Sequence, residues 1–231
     1  YKQVAKRFPW ATFHIQGSSP KKDFKKLTLA SMYSPLSNSP YVLFAVDDMI
    51  VTDYVDLEQC TAALEKYHAW GFYLRLGKNI THCYMLNQNT PVPFGKDRKE
   101  GFFTWTFSDG IGDWNYPNTV DQTIYRKRDI ADFFYKADYI HPNSLESLWA
   151  RTAQPSRRGI SFNVSKNINI PLNLVNPSTN RSANLFTPKE LLRKFQKNLK
   201  IDIDIFKRMY NSSPHIDFKP EFIPIHSSKY G

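Results

Sequence analysis

The chain has 231 residues, a formal net charge of +10 and 41% hydrophobic residues, and aromatic residues make up 15% of the whole. Apolar side chains are abundant enough to bury a core, which excludes a disordered protein, and the two cysteines, Cys60 and Cys83, are too few for a disulfide framework or a thiolate metal site. The positive charge favours phosphorylated or polyanionic partners, namely nucleotides, nucleic acids or an anionic membrane.

No run of sequence approaches the roughly 20 apolar residues of a membrane-spanning helix. No signal peptide pattern opens the sequence. We therefore expect a cytoplasmic protein, and the positive charge leaves room for peripheral association with a membrane.

The first part of the chain alternates between helical and extended patterns. Helical spacing begins at Tyr1 with no capping residue before it, so we expect a first strand to be missing ahead of this sequence. The continuous apolar run from Tyr41 to Val46 is typical of a strand buried on both faces. A helix follows over Leu57 to Tyr67, with Asp56 as its N-cap, and Phe72 to Leu76 indicate another strand.

This order of elements predicts an α/β fold with a mostly parallel, Rossmann-like sheet and helices on both faces. We expect one domain over residues 1–210. Residues 211–231 contain Pro, Ser and His without periodicity, which indicates an extended or partly disordered tail.

The second half of the chain contains a long loop between two predicted strands. Residues 108–118 are rich in turn formers and aromatic side chains, which is typical either of a functional loop or of a packed surface loop. Thr119 to Arg126 are extended, and Asn143 or Ser144 is expected to cap a further helix. A capping box at Thr187 to Glu190 predicts the last helix.

An acidic pair, Asp47 and Asp48, directly follows the buried strand. Ligands of parallel α/β sheets bind beyond the carboxyl ends of strands, and Mg²⁺ or Mn²⁺ needs only one or two protein carboxylates when phosphates and water complete its shell. A structural role is the alternative: Asp48 caps the next turn, and Asp47 pairs with a basic residue such as Arg75.

From about residue 40 to 180, the sequence resembles bacterial glycosyltransferases of the GT-A fold, in particular a poorly characterised family-2-like group. Several motifs in the same order carry the resemblance: Tyr41 to Asp48, Phe72-Tyr-Leu-Arg-Leu-Gly-Lys-Asn79, Gly112-Asp-Trp-Asn-Tyr-Pro-Asn-Thr-Val-Asp121, Ile124-Tyr-Arg126, His141-Pro-Asn-Ser-Leu-Glu146 and Asn169-Ile-Pro-Leu-Asn173. The resemblance implies an inverting transferase with a nucleoside-diphosphate sugar donor and a saccharide or lipid-linked acceptor.

The family's usual acidic motif is Asp-x-Asp, in which the first carboxylate approaches the ribose and the last binds the metal. Here the motif is Asp47-Asp48-Met49, so Asp47 matches the ribose-facing residue and Met49 replaces the metal ligand. We expect Asp48 to bind the divalent cation, Mn²⁺ or Mg²⁺, if the enzyme uses one. A cation at this place offsets the charge that develops on a departing diphosphate.

Two carboxylates are candidates for the base that takes the acceptor's proton. Glu146 lies at the start of a late helix, where the family often places an acidic pair, and Asp121 follows the aromatic loop. Glu146 also suits a purely electrostatic role at a helix N-terminus.

Four further residues are expected to contact the nucleotide sugar: Arg75, Asn79, Asp113 and Trp114. Arg75 has the fork geometry that suits a diphosphate, and Trp114 has a face on which a sugar or base stacks. A structural ion pair and core packing are their respective alternatives.

The sequence gives less support to other functions. The lysines are dispersed and no RNA-binding pattern is present, so no nucleic acid partner is expected. The sequence lacks HExxH, GxSxG, GxxxxGK and GxGxxG, which disfavours the corresponding hydrolases, P-loop enzymes and dinucleotide enzymes. A non-catalytic binding protein on the same fold and a nucleotidyltransferase stay open.

Overall fold

A computed structural model describes residues 1–35, 37–172, 181–182, 184–207 and 209–226. The chain divides into two compact units, one formed by residues 1–42 and 126–152 and the other by residues 43–125 and those from 153 onward. Asn173, the end of one motif, and residues 227–231 of the predicted tail lie outside the described residues.

The helices have the following bounds: α1 Lys2–Arg7, α2 Pro20–Tyr33, α3 Leu57–Lys66, α4 Lys127–Lys136, α5 Pro142–Ala150 and α6 Pro188–Gln196. The strands are β1 Tyr41–Phe44, β2 Met49–Val51, β3 Gly71–Tyr73, β4 His82–Cys83, β5 Gln88–Asn89, β6 Gly95–Asp97, β7 Phe102–Thr106, β8 Thr123–Arg126, β9 Arg158–Phe162, β10 Asn167–Asn169, β11 Leu199–Ile201 and β12 Phe222–Pro224. Two short 3-10 helices, Phe107–Asp109 and Gly112–Asn115, occupy the aromatic loop.

The first unit is built mainly from helices. Phe134 of α4 and Trp149 of α5 are buried and meet edge to face at 5.2 Å between ring centroids. Helix α5 begins earlier than predicted: the His141 side chain accepts a hydrogen bond from the Ser144 amide, and the Ser144 hydroxyl accepts one from the His141 amide. Because Pro142 suits the first helical position, the cap lies at His141 rather than at Asn143 or Ser144.

A six-stranded sheet with the order β1-β8-β3-β9-β7-β6 forms the frame of the second unit. β3 runs parallel to β9 and antiparallel to β8, and β7 is antiparallel to both β9 and β6. The mixed α/β class is thus confirmed, whereas the mostly parallel, Rossmann-like sheet is not. β1, which the apolar run predicted to be buried on both faces, is instead an edge strand next to β8, and Leu43 on it is 40% exposed. An apolar run encodes neither the direction of a strand nor its place in the sheet.

Three small antiparallel pairs accompany this sheet. β2 pairs with β10, β11 with β12 and β4 with β5. The β2–β10 register places Met49 opposite Asn169, so the residues directly after the acidic pair are fixed against β10.

The core of the second unit is strongly aromatic. Tyr73, Phe103, Trp105, Phe107 and Trp114 are all buried in one cluster. Trp105 and Trp114 meet at right angles with ring centroids 4.8 Å apart, a favourable edge-to-face geometry. The aromatic loop is therefore anchored to the sheet through Trp114.

Among the described residues, no helix combines the length and the apolarity that a membrane span requires.

Candidate functional site

The acidic pair lies in a turn that is separated by two residues from the end of β1 at Phe44. Asp47 is exposed and Asp48 is half-buried. The Asn169 side-chain amide donates to Asp48 Oδ1 at 2.8 Å, and the Ile170 amide donates to the Asp48 carbonyl at 3.0 Å. β10 therefore fixes the position of the Asp48 carboxylate.

Several carboxylates influence Asp48. Burial raises its pKa above the ordinary value, and the negative charge of Asp47 and, more weakly, that of Asp121 raise it further against the opposing hydrogen bond from Asn169. Asp47 and Asp121, which are far apart in sequence, thus both place negative charge near the half-buried carboxylate of Asp48. Such a site gains from a cation or from protonation.

Asp121, whose charge acts on Asp48, also contacts a residue in the carboxyl-terminal part of the chain. Its Oδ2 atom lies 3.8 Å from Nε2 of His215, and both side chains are largely buried. The His215 ring stacks on Tyr84. The Asn169 amide donates to the Pro214 carbonyl and the Ile216 amide donates to the Asn169 carbonyl, so the backbone on both sides of His215 is held by the same residue that contacts Asp48.

Two buried polar atoms at this site have no hydrogen-bond partner within the described ranges: Asn169 Oδ1 and His215 Nδ1. Leaving such atoms unpaired costs about 1–3 kcal/mol each, so they suit contact with a ligand or water. Sequence reasoning missed His215 because it belongs to the predicted tail. The available signal was the alternation of Ile216 and Phe218, whose side chains pack into an apolar cluster.

Arg75 and Asp113 form a buried ion pair. Arg75 Nη1 lies 2.7 Å from Asp113 Oδ1, with 1% and 9% of the two side chains exposed, and Nη2 donates to the Asp113 and Tyr116 carbonyls. Burial lowers the pKa of Arg75, but the charges of Asp113 and then Asp121 outweigh it, so the net pKa is raised. The guanidinium therefore stays charged and fixes the aromatic loop through its contacts with Asp113 and Tyr116.

A glycine permits this arrangement. Gly112 has a φ of +58°, in the left-handed region that other residues rarely adopt, and a Cβ there would meet Cys83 at 3.1 Å. The turn at Gly112 delivers Asp113 to Arg75 and Trp114 to the core.

Asn79 and Trp114 have structural contacts in this chain. Asn79 is buried, donates to the Ser165 hydroxyl and the Asn211 carbonyl, and accepts from the Ser165 amide. Trp114 is fully buried and donates from its indole nitrogen to the Ile80 carbonyl. Contacts of these two residues with a nucleotide sugar, like those of Arg75 and Asp113, stay predictions.

The two candidate bases lie in different units. Asp121 belongs to the second unit together with Asp47, Asp48 and the residues around them, whereas Glu146 lies on α5 of the first unit and is half-buried. The structure thus brings Asp121, Asn169 and His215 around Asp48.

The chain is similar to a glycosyltransferase. That relative is the bifunctional glycosyltransferase pgtA of Dictyostelium discoideum, to which the chain is 32% identical over 139 residues. The match covers 56% of this chain and 17% of the relative, so this chain corresponds to a small part of that protein. No family model matches the chain.

Proposed function

We propose that this chain transfers a sugar from a nucleoside-diphosphate sugar to a hydroxyl of a saccharide or lipid-linked acceptor, as an inverting transferase of the GT-A class. One observation carries the proposal: Asp48, in the turn that follows β1, is half-buried, is fixed to β10 by Asn169, and is influenced by the charges of Asp47 and Asp121. The similarity to a glycosyltransferase supports the same reaction class.

The donor would bind through its diphosphate and ribose at the acidic turn. Asp47 is exposed, so its carboxylate can accept hydrogen bonds from ribose hydroxyls. The carboxylate of Asp48 is half-buried and is influenced by the negative charges of Asp47 and Asp121. Two negatively charged partners do not attract each other, so a diphosphate near Asp48 needs a cation between them.

The oxygen donors at this turn fit Mg²⁺ or Mn²⁺. Within the described part of the chain, no three His, Cys, Asp or Glu side chains gather as a metal site, so protein atoms alone would not complete the shell. Mg²⁺ commonly takes one or two carboxylates and fills the remaining positions with phosphate oxygens and water. We propose Asp48 as the protein ligand, and the bound ion would offset charge on the departing diphosphate.

The transfer step needs one proton acceptor. The acceptor hydroxyl attacks the anomeric carbon, the bond from that carbon to the diphosphate oxygen breaks, and the hydroxyl proton passes to a carboxylate. We propose Asp121 for this role because its charge already acts at Asp48 and its Oδ2 atom faces His215. Glu146 is the competing candidate.

A ligand-binding experiment tests the donor site. Melting temperatures of the chain and of Asp47→Ala are compared with UDP, GDP, CDP, ADP and dTDP, each with and without Mn²⁺. We expect one diphosphate to raise the melting temperature of the original chain and not that of Asp47→Ala. An Asp97→Ala variant, which alters an exposed aspartate of β6, should keep the shift. Absence of a shift with every nucleotide would contradict the proposal.

A further inference from the structure

The first 22 residues differ in composition from the rest of the chain. They contain five Lys or Arg residues and no Asp or Glu, which supplies half of the net charge of +10. Large apolar residues are interspersed with these basic ones. This combination of a basic and an aromatic character is typical of segments that lie in the interface of an anionic membrane.

The apolar side chains of this segment are exposed. Trp10 and Ile15 expose 82% and 85% of their surface, Phe8 and Phe13 are exposed as well, and α1 contains no buried residue. Isolated exposed apolar side chains are common in proteins, but several within a short segment indicate a contact surface.

The local structure presents aromatic and basic groups together. Phe8 and Trp10 meet edge to face with centroids 5.8 Å apart, and the Arg7 guanidinium lies over the Phe8 ring at 6.0 Å. Lys2 and Lys6 of α1 are exposed beside them. Tryptophan rings prefer the level of the lipid headgroups, and each basic side chain near an anionic surface adds to binding.

We propose that residues 1–22 form a membrane-contact segment that binds the headgroup region of anionic phospholipid bilayers. Trp10 and Ile15 insert their apolar parts into the interface, while Lys2, Lys6 and Arg7 pair with lipid phosphates. Charge complementarity identifies the occupant: five basic residues and no carboxylate lie within the segment, and the adjoining Asp23 carboxylate accepts a hydrogen bond from the Gly17 amide. The large apolar groups of the segment would gain nothing from a purely ionic partner. This inference is independent of the proposed transferase activity.

Sedimentation with vesicles tests the proposal on the whole chain. Vesicles of phosphatidylcholine alone are compared with vesicles in which one third of the lipid is phosphatidylserine. We expect binding to the anionic vesicles that falls as salt rises from the order of 0.1 M to the order of 1 M. Equal binding to both kinds of vesicle, or no binding, would overturn the proposal.

Matched substitutions separate this segment from the general positive charge. The double variant Lys6→Gln/Arg7→Gln should bind anionic vesicles about 25-fold more weakly, which is roughly fivefold for each basic residue. The double variant Lys189→Gln/Arg193→Gln loses the same charge from exposed positions on α6 and should bind like the original chain. Equal losses in both variants would show a diffuse charge effect and would refute a dedicated segment.

Tryptophan fluorescence reports the insertion directly. Of the five tryptophans, Trp105, Trp114 and Trp149 are buried, and Trp70 is half-buried with its indole nitrogen donating to Asn118. Trp10 is exposed, so a blue shift on adding anionic vesicles should come from Trp10. Trp10→Phe should retain binding and lose the shift. Trp10→Ala should weaken binding about tenfold, while Phe94→Ala, at an equally exposed position, should not. A shift with single-stranded oligonucleotides but not with vesicles would instead identify a nucleic acid site and contradict the proposal.

Discussion

The buried pair Arg75–Asp113 gives the most quantitative prediction about stability. Its two charged atoms are 2.7 Å apart, which corresponds to about 6 kcal/mol of attraction at an effective dielectric constant of about 20. Most of this attraction is offset by the removal of both groups from water, but loss of one partner leaves the other charge buried and uncompensated. We therefore expect Asp113→Asn to destabilise the fold by about 3–5 kcal/mol.

A double variant and a control sharpen this prediction. Arg75→Met/Asp113→Leu removes both charges and should recover a large part of the lost stability. The pair Lys78–Asp97 has the same 2.7 Å separation but is exposed, so Asp97→Asn should cost only about 0.2–1 kcal/mol. Urea unfolding followed by tryptophan fluorescence measures all three. A loss below about 1 kcal/mol in Asp113→Asn would refute the reasoning, since it would mean that the buried charge finds another partner.

Three further predictions concern the acidic site and its supports. Because burial and the neighbouring carboxylates raise the pKa of Asp48 above its ordinary value, the ionised group destabilises the folded state once the pH exceeds that ordinary value. Asp48→Asn should therefore stabilise the fold at pH 7. Unfolding curves should show this gain vanish below about pH 3, and a gain independent of pH would contradict the assignment. Asn79→Ala should lower the free energy of unfolding by about 2–4 kcal/mol because it leaves several buried groups unpaired. Limited proteolysis should then cut residues 211–217, which Asn79 anchors through the Asn211 carbonyl. Resistance to cleavage would argue against this anchoring role. Asp121→Asn should reduce turnover by about 10²–10⁴-fold without weakening donor binding. Glu146→Gln should leave turnover unchanged. The opposite pattern in steady-state kinetics would assign the base to Glu146.

Local elements of the fold are predictable from the sequence. Helix α3 begins after Asp56, whose side chain accepts from the Gln59 amide, and α6 begins at the capping box of Thr187 and Glu190. Strand β7 lies within the largely aromatic stretch at residues 102–107. These features depend on neighbours within a few residues, which is why periodicity and capping patterns reveal them.

Long-range pairing is harder to predict. Nothing in the sequence of residues 123–126 shows that β8 lies next to β3 in the antiparallel direction. The same limit applies to His215, which reaches Asp121 through a backbone contact with Asn169 that no local pattern encodes. The acidic pair is predictable because two adjacent carboxylates after an apolar run require compensation of charge wherever the partners come from.

Release of nucleoside diphosphate from donor sugars tests the central claim most directly. The chain is incubated with UDP-, GDP-, CDP-, ADP- and dTDP-linked sugars in the presence of Mn²⁺, together with simple saccharide acceptors, and the diphosphate released is quantified. The proposed function predicts release from one donor that depends on Asp48 and is lost in Asp48→Asn, although that variant remains folded. Release that persists unchanged in Asp48→Asn, or no release from any donor that the protein binds, would contradict it.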